Sequence, residues 1–119
     1  MATLTPTLTL SSSDATADAL SITVTDTLTT TNPTVNIARA AVSHTSATTL
    51  LSDAIGFVNY VYIKNIDTTN FITVKIGAEV AIKMAAGEFA FFPLNASVGL
   101  EVQADTAACV VEYGHWTKG

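Results

Sequence analysis

The residues able to do chemistry are few and far apart. The 119-residue chain holds one cysteine, Cys109, and two histidines, His44 and His115. Cys109 and His115 could form a thiolate–imidazole nucleophile. Their spacing, along an extended segment that crosses Gly114, does not fix such a pair. Cys109 is expected instead to be a small buried hydrophobe. His115 is expected on an exposed tail beside Trp116. His44, among threonines and serines, is expected at a solvated strand end. The ten carboxylates are scattered over turns and outward strand positions. A glycosidase needs two of them face to face, and no pair is selected by position. Asp14 and Asp18 lack the further ligands of a calcium loop. There is no phosphate loop, zincin helix or nucleophile elbow. The sequence therefore nominates no catalytic residue, no cofactor and no metal site, and the expected class is non-enzymatic.

The elements that would carry these residues read almost entirely as strand. Apolar residues make up 49% and charged residues 13% of the chain, the latter about half the usual share. Threonine occurs 20 times, 15 of them before residue 50, and β-branched residues favour strands. Leu4, Pro6, Leu8 and Leu10 alternate with threonines, a period of two with one apolar and one hydroxyl face. Pro6 cannot donate to a ladder, so this segment is expected at an edge or as an extended arm. Three buried leucines are worth roughly 1.5–3 kcal/mol each. Ordering ten residues costs on the order of 1–2 kcal/mol per residue. The segment therefore also needs ladder hydrogen bonds, to its own sheet or to a neighbour's edge.

Further strands are expected at Leu20–Thr25, Val35–Val42, Phe57–Ile66, Phe71–Ile76, Val80–Met84, Phe89–Leu94, Val98–Val102 and Ala108–Tyr113. Turn signals such as Asn32-Pro33, Gly77-Ala78 and Gly87-Glu88 separate them. Leu50–Ala54 is ambiguous and could hold one helical turn. Phe57–Ile66 is apolar on both faces and is expected to be covered on both sides. Neighbours in a strand point oppositely, so one of Phe91 and Phe92 leaves the local core. The expected fold is all-β, an antiparallel β-sandwich or jelly-roll-like domain of eight to ten short strands. Residues 1–18 are expected as an arm or edge strand with its loop, and 19–119 as a single sandwich domain.

Ten acids against five bases give a net charge of −5. A nucleic-acid binder usually carries a basic footprint, so no nucleic-acid partner is expected. No apolar run is long enough for a spanning helix, and no membrane partner is expected. One cysteine excludes an intrachain disulfide. The opening residues lack the pattern of a secretory signal. Asn95-Ala96-Ser97 matches a glycosylation sequon, which short sequences often do by chance.

Two segments carry a resemblance. They are Tyr60-Val61-Tyr62-Ile63-Lys64-Asn65-Ile66-Asp67-Thr68-Thr69-Asn70 and Ala85-Ala86-Gly87-Glu88-Phe89-Ala90-Phe91-Phe92-Pro93-Leu94. The chain resembles small β-rich virion proteins of tailed bacteriophages, in which such a hairpin precedes such a strand. The shared motifs shape turns and specify a fold rather than an activity. The resemblance implies a virion component, assembled in the host cytoplasm. A capsid decoration or cement protein, working in many copies through apolar faces, fits a short, compact, acidic chain best. A tail, neck or fibre-associated component, with a carbohydrate or receptor role for exposed aromatics, is the alternative. The expected partners are further copies of the chain and the major capsid protein or other virion proteins. The expected interface residues are Leu4, Leu8, Leu10, Phe91, Phe92 and Trp116.

Overall fold

A computed structural model describes residues 2–31, 37–52, 60–95 and 98–118. It is all-β and antiparallel, and no helix occurs among the described residues. Twelve strands are present there, more than the eight to ten expected. The chain divides into two compact units, residues 1–32 and 33–118.

The first unit contains β1 (Ala2–Leu4), β2 (Thr7–Ser12), β3 (Leu20–Thr25) and β4 (Leu28–Thr30). β1 pairs with β4 and β2 with β3 in a single register, from Ala2 opposite Thr30 to Ser12 opposite Leu20. The backbone N–H of Asp26 donates to the Pro6 carbonyl at 3.2 Å between the two ladders. The four strands thus form one long two-stranded ribbon, interrupted where Pro6 offers no N–H. This moves the expected boundary. The Leu20 strand, assigned from sequence to the sandwich, is the ladder partner of the arm. Cross-strand parity sorts the side chains into two faces. Leu4, Leu8, Leu10, Leu20, Ile22, Val24 and Leu28 share one face. The other is built of threonines and serines, with the Thr7 and Thr25 hydroxyls 3.3 Å apart.

The second unit contains β5 (Ala38–Val42), β6 (Thr48–Leu51), β7 (Tyr60–Asn65), β8 (Ile72–Ile76), β9 (Glu79–Met84), β10 (Phe89–Pro93), β11 (Leu100–Ala104) and β12 (Cys109–Trp116). They form two four-stranded sheets, ordered β10-β7-β12-β5 and β6-β11-β8-β9. From β5 onward each step crosses from one sheet to the other, except the β8–β9 hairpin. β5 pairs with β12, β6 with β11, β7 with β10 and β8 with β9. Both sheets feed one hydrophobic cluster. Val42, Val61, Ile63, Cys109 and Val111 come from the first sheet, and Leu51, Ile72, Val74, Met84, Leu100 and Val102 from the second. In β7, β8 and β11 buried residues alternate with half-buried ones, as a strand with one face on a core requires.

Several expectations are corrected. The last strand does not stop at Tyr113 but runs through Gly114 to Trp116, because β7 lies beside it for that whole length. His115 therefore sits in a strand, half-buried, and not on a tail. β7 lies inside its sheet, but Tyr60, Tyr62 and Lys64 on its other face are only half-covered. Leu50 and Leu51 belong to strand β6 rather than a helical turn. Asn32-Pro33, Val35, residues 53–54, Phe57, Val58 and the serine of the sequon lie outside the described residues.

Candidate functional site

The chemistry-bearing residues stay apart. Cys109 is buried, with Sγ 3.7 Å from the Ala107 carbonyl and 4.0 Å from that of Phe71. Burial pushes its thiol pKa up, and Asp67 and Asp105 add to this. Burial also lowers the pKa of His115. His44 is exposed in the bend after β5, where its carbonyl accepts a bond from Gln103 Nε2 at 3.1 Å. No group of three or more His, Cys, Asp or Glu side chains suited to a metal ion occurs among the described residues. A cavity of about 620 Å³ lies beside β6, β8 and β11, lined by Thr49, Leu51, Ser52, Lys75, Val98 and Glu101 among others. Residues 53–59 and 96–97, which flank it in sequence, lie outside the described residues.

The two motif segments meet at Asn65, the last residue of β7. Its side chain is fully buried, and Nδ2 donates to the carbonyls of Asn70 (2.9 Å), Met84 (3.2 Å) and Ala85 (3.2 Å). Oδ1 accepts the N–H of Asp67 at 3.1 Å. Asp67 Oδ2 in turn accepts the N–H groups of Thr69 (3.0 Å) and Asn70 (2.7 Å), which hold its carboxyl below the ordinary value. In the turn bonded to Asn65, Glu88 Oε1 accepts the Ala85 N–H at 2.6 Å, and Gly87 turns the chain at φ +81°. The motifs are thus turn chemistry that ties the end of β7 to both neighbouring connections.

The surface that could act on another molecule is the outer face of the β10-β7-β12-β5 sheet. Register puts Phe89, Phe91 and Pro93 of β10 beside Tyr60, Tyr62 and Lys64 of β7. Beyond them lie Val110, Glu112, Gly114 and Trp116 of β12 and Arg39 and Ala41 of β5. Phe91 stacks on Tyr60 with centroids 6.3 Å apart, and the Trp116 ring lies 6.4 Å from Phe91. A side chain at Gly114 would collide with Ile37 Cδ1 at 2.6 Å and meet Trp116 Cη2 at 3.2 Å. The glycine is the gap over which both are laid. Beside the aromatics, Tyr62 Oη donates to Glu112 Oε1 at 2.9 Å, and Arg39 pairs with Glu112 Oε2 at 3.3 Å. Partial burial, and then the bond to Glu112, push the Tyr62 pKa up. Lys64 stands opposite Glu112 on its other side.

Phe91 and Phe92 point oppositely, as expected. Phe91 faces outward with Trp116, while Phe92 packs against the core. Leu8 and Leu10 are exposed on the ribbon and Leu4 is half-buried there. Tyr60 and Phe89, which complete the aromatic face, were not singled out from sequence. Their only signal was the alternation that sends Phe89, Phe91 and Pro93 to one side. No family model, curated protein or solved structure matches the chain.

Proposed function

We propose that the chain is a non-enzymatic structural protein of a virion, a capsid decoration or cement protein working in many copies. The observation that carries this reading is where the large exposed hydrophobics lie. Leu8, Leu10, Ile22 and Val24 are on one face of the ribbon; Phe89, Phe91 and Val110, with Ile37 over Gly114, are on the outer face of one sheet; Val80 belongs to β9 of the other. Apolar patches of this kind, rimmed by polar residues, mark surfaces made for contact. The second unit is read as a jelly roll. Pairing β5 with β12, β6 with β11, β7 with β10 and β8 with β9 is what results when an eight-stranded antiparallel ribbon is wrapped into two sheets. An eight-stranded unit of this kind, repeated in many copies, is suited to bridging neighbours in a shell.

The test is localisation in particles. Cryo-electron microscopy of phage particles containing the chain should place it at capsomer joints, and its loss should lower their resistance to heat. Absence of the chain from every particle fraction overturns the reading. A second reading, a tail- or fibre-associated module that binds carbohydrate, is favoured by Tyr60, Phe91 and Trp116 lying beside the polar Tyr62–Glu112–Arg39 chain. Binding on a glycan array, lost in Trp116→Ala, would support it.

A further inference from the structure

We infer that the apolar face of the N-terminal ribbon of one copy docks on the outer face of the β10-β7-β12-β5 sheet of a second copy, linking copies head to tail. The inference rests on the multi-copy reading above but concerns the contact between copies, wherever the assembly sits. A two-stranded ribbon is marginal in water and needs a third strand or a packed face to hold its shape. This ribbon exposes Leu8 by 45%, Leu10 by 44%, Ile22 by 42% and Val24 by 56% on one side. It therefore calls for a cover, and the cover must be apolar and at least two strands wide.

Charge argues against a second ribbon as the cover. Residues 2–31 carry Asp14, Asp18 and Asp26 and none of the five bases. Asp26 shares its strand parity with Ile22 and Val24, so it flanks the apolar row. Ribbon against ribbon would oppose three acids to three acids, and like charges facing each other disfavour an interface. The outer sheet face carries Arg39 and Lys64 with Glu112 between them, a net positive surface beside Phe89, Phe91 and Trp116. Ribbon against sheet thus matches both apolarity and charge.

Area sets the strength and symmetry. A ribbon face nine residues long and two strands wide offers roughly 300 Å², below the about 800 Å² per partner of a standard interface. One such contact is weak. In a head-to-tail arrangement each copy both gives a ribbon and receives one, which doubles the buried surface per copy, and a ring or shell closes the series.

Sedimentation velocity on two full-length double variants tests this. One, Leu8→Ser with Val24→Ser, spoils the ribbon; the other, Phe89→Ser with Phe91→Ser, spoils the sheet face. The wild type is expected to associate with rising concentration. Each variant alone should stay monomeric, and an equimolar mixture, raised well above the concentration at which the wild type associates, should form a heterodimer through its one intact ribbon and one intact face. The idea is overturned if the wild type is monomeric at all concentrations, if either variant associates alone, or if the mixture does not associate. Should a variant lose its β spectrum, carbodiimide crosslinking of mixed ¹⁴N and ¹⁵N wild-type chains decides the matter. A mixed-isotope Asp26–Lys64 or Asp18–Lys64 crosslink is expected. Crosslinks confined to single-isotope chains, or none between ribbon and face, overturn the inference.

Discussion

Replacing Asn65 with alanine removes the amide that three carbonyls share. Two amide protons serve the acceptors of Asn70, Met84 and Ala85, and Oδ1 takes the Asp67 N–H, so about three bonds disappear together. The Met84 carbonyl lies in the buried part of this network. Stranding such an acceptor costs about 1–3 kcal/mol. The bonds nearer to water are worth about 0.5–1.5 kcal/mol each. Together the loss is roughly 2–6 kcal/mol. In a unit of this size each kcal/mol moves Tm by about 4–8 °C, so a fall of at least about 8 °C is expected. Asn65→Asp sharpens the reasoning. An ionised carboxylate cannot donate to three carbonyls, so the new acid must bind a proton to fit, and its folded pKa rises above the unfolded value. The folded state then binds more protons, and stability falls as pH rises above about 4. Urea unfolding followed by the single tryptophan, Trp116, and by circular dichroism at pH 5 and pH 7.5 measures both effects. Asn65→Ala within about 1 kcal/mol of wild type, or an Asn65→Asp deficit equal at both pH values, would refute the keystone role.

Three further outcomes are expected. His115 has a folded pKa depressed by burial, so between that value and its ordinary 6.5 the unfolded chain binds more protons and stability rises with pH. The wild type should weaken as pH falls below about 6.5, and His115→Gln should lack that slope. Cys109 is buried with a raised pKa, so a thiol reagent should label the native chain far more slowly than the urea-unfolded one; equal rates would contradict its burial. Gly87 sits at φ +81° with open space around its Cβ position. Gly87→Ala should therefore cost about 1–2 kcal/mol through backbone strain alone, whereas Ala86→Gly, next to it, should not reproduce that loss in chemical denaturation.

The sequence alone determined what depends on local chemistry. Period-two alternation and turn residues announced an all-β chain, and strand geometry sent Phe91 and Phe92 to opposite sides, while the structure decided that Phe91 is the outward one. The two faces of the Leu4–Leu10 segment were legible for the same reason. Tertiary structure decided what depends on partners distant in the chain. That Leu20–Thr25 pairs with Thr7–Ser12 and not with a sandwich is a matter of register, which alternation cannot specify when both segments carry the same pattern. That β12 runs on to Trp116 comes from β7 lying beside it; Gly114 and His115 looked like a tail because nothing local holds them in a strand. The aromatic face joins β5, β7, β10 and β12, segments up to 79 residues apart from Ile37 to Trp116. Only the sheet order brings Tyr60, Phe91 and Trp116 together, because cross-strand neighbours are set by hydrogen-bonded pairing and not by position along the chain.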